Sequence, residues 1–295
     1  MSKYNKEDYR YDGSKPLDIK SLPTRFKDIY DSKEEYEAMQ AQVAADLDEL
    51  QSMMYAHNRY GLLVIFQAMD AAGKDGTIKH VISGVNPAGV QIHSFKRPSE
   101  NELEHDFLWR TNKVLPQRGS IGIFNRSYYE EVLVVKVESD ILTKTQRIPE
   151  ELTEDLDKVW KRRYKDIKNM EKYLDRNGIK VIKFFLNVSK KEQGERLIER
   201  IKDSSKNWKF EEQDLKVREK WDQYMDAYET CINATASKKA PWYVIPADDK
   251  KNMRLTVAKI VCDELQSMKM SYPQVSKERG EELQSFIDLI NDQNS

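Results

Sequence analysis

Apolar positions follow two rhythms along this chain, and the rhythms alternate. Over 32–57, Met39, Val43, Leu47, Leu50 and Met54 fall three and four residues apart, the spacing of one helix face, with Asp31 or Ser32 placed to cap it. Leu62 to Phe66 is instead apolar without a break and of strand length. Further strands are predicted over 90–95, 121–124, 180–188 and 242–245. Helices are predicted from Thr77 to about Ser83 and over 100–114, 150–176, 190–202, 214–235 and 252–268, with a polar loop over 203–213. The 150–176 helix is rich in charge but keeps Leu152, Leu156, Val159, Trp160, Ile167, Met170 and Leu174 on the side to be buried. Strand and helix in turn predict parallel crossovers, hence an α/β fold with a parallel sheet flanked by helices. Ligands in such sheets bind beyond the carboxyl ends of the strands, which puts 67–77, 96–98, 125–131 and 246–249 at the ligand end.

The flanks differ from this body. Residues 1–30 are polar, carry Pro16 and Pro23, and read as an extended arm on the body or on a neighbouring subunit, with disorder the alternative. Residues 31–268 read as one domain without an internal repeat, including a lid at about 190–222. In 269–295, Pro273 precedes Leu283, Phe286, Ile287 and Ile290, a rhythm that predicts a last helix on the body or on a partner. A length of 295 residues is ample for the core this requires. Charged residues make up 34% of the chain, yet the net charge is −1, so overall charge gives no basis for binding nucleic acid. Any anion site must be a local basic patch. Cys231 and Cys262 match no metal-ligand spacing and the 4 histidines are scattered, which predicts reduced thiols and no zinc site. No apolar run reaches membrane-spanning length, and a cytoplasmic protein that does not engage membrane is expected.

Chemistry concentrates at the strand ends. After Leu62–Phe66 comes a small-residue loop ending in Gly73-Lys74, then a helix, which is the layout of a phosphate-binding loop. Ala71, Ala72, Gly73, Asp75 and Gly76 are candidates to cradle an anion, with Lys74 adding charge. Against the common pattern G-x-x-x-x-G-K-[ST], Ala68 replaces the first glycine and Asp75 the magnesium-binding hydroxyl. A carboxylate among phosphates is repelled unless a cation lies between, so Asp70 reads as a magnesium ligand, directly or through water. Asp75 is either a second metal contact or the cap of the following helix. Asn125 stands where P-loop proteins usually carry a metal-orienting acid. Glu130 can compensate if the chain turns back, and Arg126 can reach a transferring phosphate.

Basic residues supply the rest. Lys96-Arg97-Pro98 forms a stiff cationic corner, a candidate clamp on the acceptor. Arg196 and Arg200 lie four apart on one helix face, and Lys206-Asn207-Trp208-Lys209-Phe210 mixes cations with aromatics. Together they read as a lid that closes over phosphates and excludes water, with an exposed helical hairpin as the plainer alternative. Arg110, Lys113 and Arg118, with Lys74, Lys79, Lys96 and Arg97, are expected to line one groove, which suits a linear polyanion.

These segments resemble the second polyphosphate kinase family. Gln67–Gly76 is similar to its modified Walker A loop, and Ser94–Pro98, His105–Arg110 and Gly122–Glu130 resemble its other motifs. Lys206–Phe210 and Trp221-Asp222 resemble its lid region, and the motifs follow in the expected order across roughly residues 30–265. The resemblance implies a P-loop kinase fold similar to thymidylate kinase, a magnesium (or manganese) requirement and assembly as a dimer or tetramer. It also implies phosphoryl transfer from inorganic polyphosphate to adenine, or else guanine, nucleotides, or the reverse reaction. Asp70 matches the family's metal-binding and catalytic acid, Lys74 its phosphate-contacting lysine, and Arg126 its arginine after the third strand. Many members that act on nucleoside diphosphates carry Asp where this chain has Asn125. The Asn form, followed by Tyr128-Tyr129-Glu130-Glu131, resembles the subgroup acting on both AMP and ADP, with Glu130 helping to hold metal or acceptor. An ATP-dependent small-molecule or nucleoside kinase is one alternative, and a non-catalytic module that binds polyphosphate or nucleotide is another.

Overall fold

A computed structural model describes residues 4–25 and 27–294. One sheet contains β1 (Arg10–Tyr11), β2 (Gly61–Gln67), β3 (Val90–Ser94), β4 (Ile121–Asn125), β5 (Ile179–Asn187) and β6 (Trp242–Pro246), in the spatial order β1-β6-β5-β2-β4-β3. β2 to β6 run parallel, and β1 pairs with β6 in the opposite sense. β2 lies between β5 and β4 and is buried at every position, which is why its sequence has no alternation. Phe66 stacks on Phe184 of β5 across the sheet's centre.

The longer helices are α1 (Lys33–His57), α2 (Lys74–Val81), α3 (Leu156–Arg176), α4 (Lys190–Lys202), α5 (Glu212–Glu219), α6 (Trp221–Thr235), α7 (Lys250–Gln266) and α8 (Lys277–Asn294). Side chains with local oxygen acceptors start several of them: Ser32 caps α1, Asp155 α3, Ser189 α4 and Asp249 α7. Those caps also explain where the predicted helices break. The 150–176 span divides ahead of Asp155, leaving Glu150–Thr153 as a separate turn. The 100–114 span is two short turns, Glu100–Leu103 and Trp109–Asn112, because the Asp106 carboxylate accepts from the Leu108 N–H and competes with the helix. The 214–235 span divides at Lys220, and α5 begins at Glu212, inside the stretch predicted as loop. β1 went unpredicted because two residues carry no periodicity.

Residues 4–25 and 27–30 lie along the body. Leu17, Ile19 and Ile29 are buried, and Asn252 accepts from the Ile29 N–H. Glu264 on α7 ties this segment to the body. Its carboxylate accepts from Lys6 at 2.9 Å, Tyr243 at 2.7 Å and Lys180 at 2.6 Å. Burial alone would push this carboxyl up, but Lys180, Lys6 and Tyr243 outweigh it and hold it down to about 2. The stabilisation is therefore present above the ordinary carboxylate range and is lost as pH falls toward 2. Glu264→Gln is expected to lower unfolding free energy by about 3 kcal/mol at pH 7. Urea titrations should show the gap from wild type narrowing below pH ~4.5; a gap independent of pH would refute the account.

At the other end, α8 buries none of its residues, and Leu283, Phe286, Ile287 and Ile290 are exposed. Among the described residues, no helix is long and apolar enough to cross a membrane.

Candidate active site

The β2–β4 pairing assembles the centre. Phe66 lies opposite Asn125, so the loop leaving β2 and the turn leaving β4 emerge side by side at the carboxyl end of the sheet. The Arg126 N–H donates to the Phe66 carbonyl, which ties the second turn to the first. Each turn contains a non-glycine residue in left-handed backbone, Ala71 with φ 59° and Arg126 with φ 64°. Such conformations cost energy and persist where surrounding contacts fix them. Gly73, with φ 110°, takes the position before α2.

Side chains converge from both turns. The Arg126 guanidinium donates to Asp70 Oδ1 at 2.5 Å and lies 3.6 Å from Glu130. Asn125 Nδ2 donates to Asp75 Oδ1 at 2.7 Å. Lys74 Nζ folds back and donates to the carbonyls of Ala68, at 2.8 Å, and Met69, at 3.2 Å. Burial, helped by Arg126, lowers the Lys74 pKa to about 8 despite Asp70 and Glu130. Burial also pushes the Glu130 carboxyl up, opposed by Arg126 and Lys74. An ammonium aimed only at carbonyls, beside a carboxylate–guanidinium contact, is an arrangement that phosphate oxygens would complete.

The α4–α5 hairpin touches this centre from one side. Gln193 donates to the Asp70 carbonyl at 3.1 Å, and Arg218 donates to Gln193 at 2.9 Å. At the hairpin's tip, Lys209 comes within 3.9 Å of Asp75, while Lys206 pairs with Asp203 and the exposed Trp208 donates to the Ser205 carbonyl. Arg200 pairs with Asp214 across the hairpin. Lys96 and Arg97 are exposed just past the end of β3, at the ligand end.

Other sequence-derived candidates take different places. Arg118 precedes β4 and donates to the carbonyls of Arg59 and Asn177, which lie at the amino ends of the strands, opposite the loop. A residue entering a parallel strand is on the wrong edge by topology, so Arg118 leaves the groove. Arg110 donates to the Lys96 carbonyl and lies over the Phe95 ring, so it braces the basic corner rather than adding a free cation to it. Lys113 lies over the Trp109 ring. Arg196 is buried and donates to Glu192 and to the carbonyls of Ala72 and Ala247, so it holds the loop's carbonyls instead of facing the space above it. Asp75 is not the helix cap, since Gly73 is; it lies in the first turn of α2.

Two features that shape the site escaped the sequence: the Glu171 and Lys183 partners of Tyr128 and Tyr129, and two tyrosines on α6. Tyr128 and Tyr129 donate to Glu171 Oε1 at 3.0 and 2.7 Å, and the buried Lys183 donates to Oε2 at 2.6 Å. This anchors the 3-10 turn Tyr128–Val132 that carries Glu130. Lys183, the one charge between Val181 and Leu186, is the signal that marked it. The second feature is Tyr224 and Tyr228, buried on α6, whose hydroxyls feel the charges of Asp70, Glu130 and Arg126.

Among the described residues, no three His, Cys, Asp or Glu side chains gather as a metal cage. The donor set at the loop is the Asp70 carboxylate with Glu130 behind Arg126. That fits magnesium, which dehydrates reluctantly and is commonly held by one or two carboxylates together with substrate phosphates.

A parallel sheet whose first long strand runs into a loop closed by a buried lysine defines a P-loop kinase-like protein. The family model for Polyphosphate kinase 2 (PPK2) matches residues 30–273, and the chain belongs to that family. The chain is 49% identical over 282 residues to a Rhodopseudomonas palustris protein named ADP-polyphosphate phosphotransferase, covering 95% of this chain and 96% of that one. It is 44% identical over 228 residues to a Meiothermus ruber protein named AMP/ADP-polyphosphate phosphotransferase, covering 77% and 80%. The crystal structure of Polyphosphate Kinase 2 from Arthrobacter aurescens TC1 superposes with a TM-score of 0.83 at 34% identity, covering 96% of each chain.

Proposed function

We propose that this protein transfers the terminal phosphoryl group of inorganic polyphosphate to AMP and ADP, reversibly. The observation that carries the reading is the Asp70–Arg126 contact beside Lys74 in the loop, within a chain of this family. Polyphosphate lies along the ligand end of the sheet, with the α4–α5 hairpin acting as the lid. Lys96 and Arg97 hold the acceptor end. Lys74 and Arg126 neutralise charge as it moves between the phosphates, and positioning supplies most of the rate. A phosphate nucleophile is already ionised at neutral pH, so the residues need not remove a proton. Asp70 would hold magnesium, which would supply charge neutralisation there.

The test is nucleotide formation from purified protein, magnesium and polyphosphate, with AMP or ADP offered separately. ADP and ATP from AMP support the reading; no product from either acceptor overturns it.

Acceptor choice is assigned to Asn125, which supplies an N–H donor to Asp75. An aspartate there would set two carboxylates against each other and remove that donor, disfavouring a further phosphate oxygen nearby. Asn125→Asp is expected to lower the AMP:ADP rate ratio about tenfold, the worth of one such donor. An unchanged ratio would sink this assignment.

A further inference from the structure

Tyr224 is among the most buried tyrosines beside the candidate centre, and its hydroxyl is enclosed yet bonds to nothing. It lies on α6 one turn before Tyr228, which packs on Phe185 opposite Gln67 at the start of the loop, and the charges of Glu138, Glu130, Asp70 and Arg126 act on its hydroxyl. Glu138 is already engaged by Lys220, at 2.7 Å, and Arg126 by Asp70. Tyr228, one turn along α6, packs its ring against Phe185 in a tilted pair and feels the charges of Glu130, Arg126 and Asp70, so this side of α6 borders the centre. Burying a hydroxyl without a partner costs stability that phenylalanine, with the same ring, would not. A residue present only for packing has no use for that oxygen.

We propose that the Tyr224 hydroxyl is a phosphate-binding group, donating to an oxygen of the phosphoryl group held between Asp70, Arg126 and Lys74. This rests on the phosphotransferase reading above. The phenol keeps its proton throughout, because burial and the nearby carboxylates push its pKa up. It is therefore a neutral donor to an anionic acceptor, a bond stronger than a neutral pair. No side chain of this kind was marked by the sequence, since Tyr224 falls at an ordinary apolar position of a helix.

The test compares wild type with Tyr224→Phe. The variant is expected to be as stable in urea as wild type, or more so, because the free protein loses no bond. Its kcat for ATP formation from ADP and polyphosphate should fall about 10- to 100-fold. The thermal stabilisation conferred by added tripolyphosphate with magnesium should also shrink. A wild-type kcat in the variant overturns the proposal, and so does a variant less stable than wild type, which would mean that the hydroxyl was bonded structurally. If wild type itself makes no product, the phosphotransferase reading fails separately. The tripolyphosphate shift then decides, and equal stabilisation of both proteins overturns the role of Tyr224.

Discussion

Asp70→Asn lowers the rate of ATP formation from ADP and polyphosphate about a thousandfold, with the fold intact. The substitution keeps the shape of the side chain and a carbonyl oxygen for Arg126, so only the negative charge is lost. That charge matters twice. It balances the Arg126 guanidinium, 2.5 Å away, and under the proposed function it is the hard oxygen that would let a cation sit among phosphates. Because the pair is partly exposed, its loss should change stability by less than about 1 kcal/mol. The expected pattern is a collapsed kcat with an unchanged unfolding midpoint. Steady-state rates at saturating magnesium decide it; a residual rate above a tenth of wild type would remove Asp70 from the reaction.

The second large effect is at Lys74. Lys74→Met should also nearly abolish turnover, yet the variant should be at least as stable as wild type at pH 7. The reason is the sign of the burial effect. The folded pKa of about 8 lies below that of an unfolded lysine, so holding the charge costs stability at neutral pH. Wild-type stability rises as pH climbs from about 8 toward the ordinary lysine range, and the methionine variant lacks that rise. Phosphates placed against the ammonium raise its pKa again. Polyphosphate binding should then take up a proton above pH ~8 and weaken as pH increases. Calorimetry in buffers of different ionisation enthalpy measures that uptake. Its persistence in Lys74→Met would assign the proton to another group.

How much of this could be read from residues alone depends on how local the cause was. The five parallel strands were visible because four are apolar runs bounded by turn chemistry and β3 alternates apolar with polar residues. The Lys74 loop was visible because strand, small residues, lysine and helix are contiguous. Asp70, Asn125 and Arg126, whose turns the structure brings side by side, were singled out by their place at or just past strand ends. Arg118 was misplaced because counting cations ignores which end of a strand each one precedes. Arg196 was found as a basic residue on the right helix, but its partners, the carbonyls of Ala72 and Ala247, are set by tertiary packing. Tyr224 was missed for the same reason. Its distinguishing property is the absence of a bond, and a sequence does not record that.

The pairing of β1 with β6 has a consequence for how the chain acquires its structure. Val244 donates to the carbonyl of Tyr9, and Arg10 and Tyr11 lie opposite Tyr243 and Trp242. Residues separated by more than two hundred positions must meet before that edge of the sheet is closed. During synthesis, the 10–11 segment emerges long before 242–246, and until then its ladder partner β6 does not exist. Contacts of such sequence separation form slowly because a long loop must close first. A ribosome-bound chain arrested before Trp242 should therefore leave residues 4–12 open to protease while β2 and β4 are already paired. Release of the segment spanning β6 would then protect residues 4–12 and 242–246 in one step.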